Sequence, residues 1–491
     1  MKKNSNIDFI CDFTEIEKSI KIDIQNGEIP SLCIAVCKNG QIIYEKAYGF
    51  SDVENKIKTT LETPYQLASA SKPMTATGIL LLEKEKNIDI HDSIEKYIQP
   101  LKFKVYEGNS SNVRIIDVLS HNSGLGTFMD IHYSDESVHF KPFEEIFDKY
   151  GCLFHSSGLK NEYSNIGYGL LDYLIKKQSG MPFSQFMKQK LFLPLDMKNS
   201  FVDDFKSDND YVAKKYTNHL ELLPKVKNNT LGAGNIYSSI HDLALFSMFS
   251  LGEYKKELID TKKLKLMQNY YNHNALYHYY DSTKYGLGWY FKIDDNGYKV
   301  VWHEGGMMGA SSMIKLIPEE NISIVVLCNV FNQQYVQTIT NKIGKVILPK
   351  YEPSPLNEVA NYNHFTTDPS YFGEWKGSII VDDKSILCTL FIKENGELII
   401  EYLDFTYQSY FTQNNPILNK TFLISGMVNK NSFIGTFLGD LPSSDIRHQY
   451  GQFLSLKLFK NNDTMSGTVV ALSAADREYY AYPYYIKLNR K

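Results

Sequence analysis

The alternation of apolar and polar residues predicts both helices and strands in the first part of this chain. Amphipathic helices are expected over Phe13–Asn26 and Gln333–Leu348, where apolar residues recur with a helical period. Apolar runs at Ser31–Cys37 and Gln41–Tyr48 predict two strands, and the Asn-Gly turn within Lys38–Gly40 predicts that they form a hairpin. A sheet therefore begins close to the start of the chain.

Strand patterns return much later, and their position suggests an architecture. These later runs are Leu287–Ile293, Tyr298–Trp302, Ser311–Ile317 and Ile322–Leu327. The period from Lys72 to about Ser250 is mostly helical. Because strands lie at both ends and helices lie between them, we predict an α+β fold with one antiparallel sheet flanked by helices. The helical insertion is expected to form an all-helical lobe, separated from the sheet by a cleft.

The pattern changes after Pro349. The stretch 351–370 contains three prolines and no clear period, so it is predicted to link a first domain, 1–350, to a second, 371–491. In the second domain the helical period vanishes and short alternating runs follow one another. They are Trp375–Val381, Ile386–Lys393, Leu398–Tyr402, Thr406–Phe411, Thr421–Val428, Phe433–Leu438, Phe453–Phe459, Met465–Ala471 and Tyr479–Leu488. Eight or nine such strands predict a small closed β-barrel.

Composition and charge exclude several classes of protein. The 491 residues are 43% hydrophobic and carry a net charge of −4, so no basic field is available to hold nucleic acid. The apolar runs are too short to cross a bilayer and the first residues do not form a signal peptide. We therefore expect no membrane association and a cytoplasmic location. Six scattered cysteines, without a CxxC pair or a histidine cluster, predict buried free thiols and no metal site.

The first candidate for chemistry is Ser69-Ala70-Ser71-Lys72. On a helix, a lysine three positions after a serine lies on the same face and can take the proton of the hydroxyl, provided that the lysine is neutral. Neutrality requires burial or neighbouring cations. The alternative is that Ser69 only caps the apolar helix predicted at Met74–Glu83. The same spacing also occurs elsewhere in the chain, so it is weak evidence alone.

The second candidate is Tyr163-Ser164-Asn165, which precedes a helix predicted at Gly167–Ser179. A tyrosine can act as a general acid or base when its pKa is lowered by cations, and an amide can hold a substrate carbonyl. The alternative is a loop tyrosine that packs against Phe154. Both interpretations fit the local sequence.

The third candidate is His303-Glu304-Gly305-Gly306, expected to end one strand and run toward the next. Glycines let the backbone approach a ligand closely and leave an N–H free for an oxyanion. A histidine beside them can donate to a substrate or steer protons. The alternative is a glycine-rich hairpin with a surface histidine.

Taken together, these segments resemble the serine β-lactamase and penicillin-binding-protein-like superfamily, in particular its class C-like branch, which includes esterases and D-aminopeptidases. The matching stretches are YQLASASK (Tyr65–Lys72), IIDVLSHNSG (Ile115–Gly124), YSNIGYGLLDYLIKKQS (Tyr163–Ser179), LFLPLDM (Leu191–Met197), GAGNIYSSIHDLALF (Gly232–Phe246), YGLGW (Tyr285–Trp289) and HEGGMMGASS (His303–Ser312). They follow the family's order over roughly the first two thirds of the chain. Phe372–Trp375 is similar to the start of the lipocalin-like barrel appended to some members.

The resemblance implies roles for the candidate residues. Ser69 is expected to be the acylated nucleophile, and either Lys72 or Tyr163 the base that takes its proton. Asn165 is expected to orient the substrate and Lys72. The backbone N–H groups of Ser69 and Gly306 are expected to form the oxyanion hole.

One position departs from the family pattern. β-Lactamases and D-Ala-D-Ala peptidases of this superfamily carry Lys-Thr-Gly where this chain has His303, Glu304 and Gly305. A histidine is mostly neutral at pH 7, whereas a permanent ammonium suits a substrate carboxylate. His-x-Gly looks like the esterases and D-aminopeptidases instead. Glu304 favours a substrate amine if it faces the cleft, and points to solvent otherwise.

The sequence therefore predicts an SxxK serine hydrolase that acts through an acyl-enzyme and uses no metal or organic cofactor. Its expected substrates are small amides or esters, such as short or D-residue-containing peptides and acyl esters. A β-lactamase or D-Ala-D-Ala carboxypeptidase is the alternative enzyme, and a non-catalytic sensor of penicilloyl groups or peptides is the alternative of another class. The barrel could edge the cleft, join copies into a homo-oligomer, or only stabilise the chain.

Overall fold

A computed structural model describes residues 11–85, 88–136, 141–206, 211–270, 272–273, 283–352, 368–408, 417–429, 432–446, 452–475 and 478–491. Its helices are α1 Thr14–Gln25, α2 Lys72–Lys84, α3 Ile115–Leu119, α4 Phe143–Tyr150, α5 Asn165–Ser179, α6 Phe183–Met187, α7 Leu231–Gly234, α8 Ile240–Ser250, α9 Thr261–Asn269 and α10 Gln333–Ile347. Its strands are β1 Ser31–Lys38, β2 Gln41–Asp52, β3 Ile57–Lys58, β4 Tyr65–Gln66, β5 Lys104–Val105, β6 Met129–Tyr133, β7 Cys152–Leu153, β8 Phe201–Val202, β9 Val226–Asn228, β10 Ile236–Ser238, β11 Lys284–Tyr285, β12 Tyr290–Ile293, β13 Lys299–Met307, β14 Ala310–Ile317, β15 Ile322–Cys328, β16 Gly373–Val381, β17 Lys384–Ile392, β18 Leu398–Tyr402, β19 Tyr407–Gln408, β20 Ile417–Leu418, β21 Lys420–Asn429, β22 Ser432–Gly439, β23 Gln452–Asn461, β24 Thr464–Ala475 and β25 Glu478–Arg490.

The early and late strands form one antiparallel sheet, in the order β11-β12-β13-β14-β15-β1-β2-β3. β1 pairs with β15, so that Cys33 lies opposite Leu327. The β1–β2 turn has positive φ at Asn39 (51°) and Gly40 (74°), as a two-residue hairpin turn with Asn-Gly requires. The predicted α+β fold, with helices on an antiparallel sheet, is confirmed.

Helices cover both faces of this sheet. Ile34 and Val36 of β1 pack in one core with α1 and α10, whereas the alternating residues Cys33 and Cys37 pack in the other core with α8. All six cysteines are unpaired. In the other lobe α5 packs against α2, α3 and α7. Within the described ranges, no helix is both long and apolar enough to cross a membrane.

In the described ranges after residue 368, eight strands form a barrel in the order β16-β17-β18-β21-β22-β23-β24-β25, closed by the pairing of β16 with β25. Trp375 is buried inside it and donates through its indole N–H to the Tyr371 carbonyl at 2.7 Å. The other end of β25 pairs with β6, and β6 pairs with β9. The barrel sheet therefore continues into strands that belong to the earlier part of the chain.

Two expectations about strands were wrong. The strand predicted at Tyr298–Trp302 continues to Met307, so His303 and Gly306 lie inside β13 and not in a connection. The turn lies at Met308–Gly309, and the sequence pattern was misleading because glycines usually weaken a strand. The run at Thr406–Phe411 adds no barrel strand: its described part forms β19, which pairs with β20 alone. Most of the predicted linker, 353–367, lies outside the described residues, so the domain bounds stay a prediction.

Candidate active site

Ser69 lies in a short 3-10 turn, Ala68–Ser71, that leads directly into α2. No side chain caps this turn or α2, so the structure does not support the N-cap interpretation of Ser69. The residue before the serine, Ala68, has φ of +47°, in the left-handed region that non-glycine residues avoid. Backbone strain of this kind is typical of functional sites.

Lys72 is completely buried, and its Nζ lies 3.1 Å from Ser69 Oγ. It also donates to the carbonyl of Ala233 in α7, 3.0 Å away. Burial lowers the pKa of the Lys72 amine well below its ordinary value, and the carboxylate of Glu304 opposes this only in part. A neutral amine at hydrogen-bond distance from a hydroxyl is a suitable proton acceptor.

Strand β13 lies against the Ser69 turn because Gly305 has no side chain. A Cβ on Gly305 would lie 1.9 Å from the Leu67 carbonyl oxygen and 2.8 Å from the Ala70 nitrogen. The same carbonyl of Leu67 accepts a hydrogen bond of 2.6 Å from Ser312 Oγ on β14. This close approach brings the backbone of Gly305 against the Ser69 turn. The oxyanion hole formed by the N–H groups of Ser69 and Gly306 stays a prediction.

Tyr163 and Asn165 come from the start of α5. The Tyr163 ring centroid lies 4.6 Å from Lys72 Nζ. Ser164 caps α5 by accepting from the Gly167 N–H at 3.2 Å, which fixes where its two neighbours lie. The Asn165 amide donates to the Phe128 carbonyl at 2.9 Å, whereas the hydrogen bonds of Lys72 go to Ser69 and Ala233. The role of Asn165 in orienting Lys72 stays a prediction.

His303 is not a surface residue, because it is only 1% exposed. Its Nδ1 lies 2.6 Å from the Glu304 carbonyl, which can only accept, so Nδ1 carries the proton. Nε2 therefore accepts from the Tyr285 hydroxyl at 3.0 Å. Burial, followed by the nearby Lys72, lowers the pKa of His303 to about 3. The imidazole is neutral and both nitrogens are engaged within the protein.

Glu304 has an enclosed carboxyl group. Among the described residues its Oε2 has no hydrogen-bond partner. Burial raises the pKa of this carboxyl above its ordinary value, while hydrogen bonds from its own backbone N–H and from the Trp302 side chain, followed by the nearby Lys315 and Lys72, oppose the shift. The solvent-facing alternative for Glu304 is therefore not supported. Its charge acts on Lys72 and so on the site.

His121 was not singled out from the sequence, although it lies at the centre of the site. Its ring centroid is 4.4 Å from those of both Tyr163 and Tyr285. Nδ1 accepts from the Ser164 backbone N–H at 3.1 Å, so Nε2 carries the proton, and Nε2 has no partner among the described residues. Burial, followed by Lys72 and His303, lowers the pKa of His121 well below its usual range. Only its place in the stretch IIDVLSHNSG could have indicated it.

Comparison with known proteins agrees with the fold and with the order of these segments. The sequence model of the Beta-lactamase family matches residues 16–343 of this chain. The chain therefore belongs to the beta-lactamase family. Nothing in the described part of the chain groups three or more His, Cys, Asp or Glu side chains in a way that could hold a metal ion.

Individual relatives show how far the likeness extends. Protein flp of Staphylococcus aureus (strain MW2) is 27% identical over 371 residues, which cover 74% of this chain and 69% of that protein. A class C beta-lactamase structure superimposes with a TM-score of 0.57 at 20% identity, covering 72% of this chain and 99% of the other. The octameric penicillin-binding protein homologue from Pyrococcus abyssi gives 0.59 at 20% identity and covers 97% and 100%. The match to the Pyrococcus abyssi homologue therefore includes the C-terminal barrel as well.

Proposed function

We propose that this chain is an SxxK serine hydrolase that works through an acyl-enzyme on Ser69. The observation that carries the proposal is the buried Lys72, with Nζ 3.1 Å from the Ser69 hydroxyl and a pKa lowered by burial. A serine hydroxyl is a weak nucleophile until such a base removes its proton. Membership of the beta-lactamase family supports the same chemistry.

In the proposed reaction Ser69 Oγ attacks the substrate carbonyl and its proton passes to Lys72. The N–H groups of Ser69 and Gly306 hold the negative charge that develops on the carbonyl oxygen. Tyr163, beside Lys72, passes the proton to the leaving amine or alcohol as the bond to the carbonyl carbon breaks. Water then attacks the ester, gives up its proton through Tyr163 and Lys72, and restores the Ser69 hydroxyl.

The charges around the site favour substrates with an amine over substrates with a carboxylate. His303 is neutral and both of its nitrogens are engaged, so it offers no cation to a carboxylate. Glu304 adds a negative group close enough to affect Lys72. Phe331 is 39% exposed and lies beside Gly306, where it supplies an apolar surface. Short peptides with a free amino group, D-residue-containing peptides and acyl esters fit this arrangement.

The proposal is tested by incubating the protein with a fluorophosphonate and measuring intact mass. We expect one adduct on the natural protein and none on Ser69→Ala. Equal labelling of the two proteins, or no labelling of either, would contradict the assignment of Ser69. Stable acylation without turnover of any ester or peptide would instead support the sensor alternative.

The substrate class is tested by comparing initial rates on p-nitrophenyl acetate, a D-alanyl p-nitroanilide and nitrocefin. We expect the ester and the amine-bearing anilide to be cleaved faster than nitrocefin, because the site lacks a cation for the carboxylate of the latter. Fast nitrocefin hydrolysis would favour the β-lactamase alternative.

Assembly into a homo-oligomer is also proposed. The support is the octameric state named for the homologue from Pyrococcus abyssi, whose fold covers 97% of this chain. Light scattering after size-exclusion chromatography measures the mass directly, and a mass of about 56.4 kDa would show that the chain is a monomer.

A further inference from the structure

The barrel contacts the catalytic unit beside Tyr163. Lys457 on β23 and Thr468 on β24 lie directly opposite each other across the two strands. Lys457 Nζ donates to Thr127 Oγ1 at 3.2 Å, and Thr468 Oγ1 donates to Glu162 Oε1 at 3.0 Å. This pair of side chains therefore leaves the barrel and reaches the segments that hold the tyrosine.

The two contacts act on the backbone of Tyr163 from two directions. Thr127 Oγ1, which accepts from the barrel lysine, donates in turn to the Tyr163 carbonyl at 2.9 Å. Glu162 directly precedes Tyr163, and its own N–H donates to the His121 carbonyl at 2.8 Å. A displacement of either barrel side chain would consequently be passed to the tyrosine through a single intervening residue.

The contacts belong to a buried cluster of charges. Lys160 and Glu162 are only 2% and 3% exposed, with Nζ and Oε2 2.9 Å apart. Lys160 also donates to the Lys457 carbonyl at 3.4 Å, and His155 Nε2 lies 3.6 Å from Glu162 Oε2. Burial alone would raise the pKa of Glu162, but the cations, Lys160 first, hold it well below its ordinary value. Buried charges with fixed partners leave little freedom to the chain that carries them.

Strand pairing between β25 and β6 also joins the barrel to the segment that follows Thr127. Residues 479–481 of β25 pair with residues 129–131 of β6, and Tyr482 Oη donates to Asp130 Oδ1 at 2.8 Å. Phe128, which directly precedes β6, accepts the hydrogen bond of the Asn165 amide. The barrel thus fixes the surroundings of both Tyr163 and Asn165.

We infer that Lys457 and Thr468 of the barrel are positioning residues for Tyr163, so that the barrel is a working part of the active site and more than a stabilising appendage. This inference rests on the proposed role of Tyr163 in proton transfer. A reacting group displaced by about 1 Å can lose a factor of roughly 100 in rate. The barrel side chains touch no reacting atom, so their effect is on rate and not on the recognition of substrate.

The test replaces Lys457 by Met and by Arg, and Thr468 by Val, in the full-length protein. The matched control is Lys487→Met, a lysine that is exposed on the barrel strand β25. For p-nitrophenyl acetate we expect Lys457→Met to lower kcat about 10- to 100-fold with little change in KM, and Thr468→Val to lower it less. Lys457→Arg, which keeps a donor and a charge, should recover part of the loss. If Lys457→Met and Thr468→Val both stay within twofold of Lys487→Met, the inference is wrong.

Hydrogen–deuterium exchange separates this inference from the proposed function. Peptides covering 121–129 and 160–165 should exchange faster in Lys457→Met than in Lys487→Met, whether or not the protein turns over a substrate. Unchanged exchange would overturn the positioning role even if the natural protein is an active serine hydrolase. Faster exchange in a protein that no fluorophosphonate labels would contradict the proposed function and leave the barrel contact established. Thermal unfolding within a few degrees of the control excludes global destabilisation as the cause.

Discussion

The two sides of the cleft are built in different ways. On the Ser69 side the proposed nucleophile and base are close in sequence: Ser69 and Lys72 are one helical turn apart, and the backbone of β13 packs against them at Gly305. On the Tyr163 side the geometry depends on distant parts of the chain, because Thr127 and Glu162 are held by two residues of the barrel. The spacing of Ser69 and Lys72 therefore forms wherever the helix forms, although the lowered pKa of Lys72 requires the burial that the fold supplies. The position of Tyr163 depends on the barrel as well.

The buried ionisable groups on the two sides also differ in their charge. Burial lowers the pKa of Lys72, which favours a neutral amine next to the nucleophile. Next to Tyr163, the pKa of the Glu162 carboxyl is held well below its ordinary value despite burial, by Lys160 first, then by a hydrogen bond from His155 and by Lys457. Burial thus favours the neutral form of Lys72 on one side, whereas neighbouring groups favour the ionised form of Glu162 on the other. Changes on the Ser69 side should consequently affect the first chemical step most strongly.

The largest effect is expected from Lys72→Met. Removal of a general base lowers the rate by about 10²–10⁴-fold, so acylation of Ser69 should fall by that factor. Lys72→Arg should be equally poor, because a guanidinium does not lose its proton. Stopped-flow labelling with a fluorophosphonate measures the step, with Lys84→Met at the other end of α2 as the control. Acylation within tenfold of the natural rate would show that another group, with Tyr163 the nearest candidate, takes the proton.

Gly305→Ala tests the contact between β13 and the Ser69 turn. The added Cβ would meet backbone atoms, the Leu67 oxygen at 1.9 Å and the Ala70 nitrogen at 2.8 Å, which cannot move aside independently. We expect a loss of about 2–4 kcal/mol in the free energy of unfolding, together with slower acylation.

Gly306→Ala serves as the control for Gly305→Ala. Its Cβ would meet side-chain atoms only, the Phe331 ring at 2.7 Å and Gln333 at 3.1 Å. The exposed Phe331 ring can move aside, whereas the Gln333 amide is held by its hydrogen bond to the Gly305 carbonyl. The loss of stability, measured by urea unfolding, should therefore be smaller. Equal losses for the two variants would contradict the idea that β13 needs glycine specifically at 305.

The contrast between the two sides also explains what the sequence could and could not predict. Two features could be predicted because they are local patterns: the helix that carries Lys72 and the alternating strands of the barrel. Both are present in the structure, except that the run at Thr406–Phe411 adds no barrel strand. The partners Lys457 and Thr127 are 330 positions apart, and no local pattern connects them. The His121 ring lies beside Tyr163 and Tyr285 only in the folded chain, so no local pattern indicates that contact. The extension of β13 was missed because its glycines serve a close approach and not a turn.

The buried His303 predicts a pH dependence of stability. Its pKa in the folded protein, about 3, lies below the ordinary value of 6.5, so the unfolded chain binds the proton first as the pH falls. The contribution of His303 to stability is fully present above pH 6.5 and declines by about 1.4 kcal/mol for each pH unit below it. The contribution of His303 is isolated by measuring the free energy of urea unfolding for the natural protein and for His303→Asn. The difference between them should shift by about 2 kcal/mol from pH 6.5 to pH 5, and a constant difference would mean that the imidazole is not held neutral.

A smaller effect than that of Lys72→Met is expected at His121, whose ring lies 4.4 Å from those of Tyr163 and Tyr285. His121→Phe keeps a ring against Tyr163 but leaves the Ser164 N–H without an acceptor, which costs about 1–3 kcal/mol for a buried donor. His121→Asn should lose less, because its side-chain oxygen can accept from the same N–H. Asparagine also tolerates the φ of +59° at this position better than phenylalanine does. Thermal unfolding measures the difference in stability, and kcat on p-nitrophenyl acetate shows whether Tyr163 has moved. If the Asn variant is the less stable of the two, ring packing and not the hydrogen bond to Ser164 holds the tyrosine side of the cleft in place.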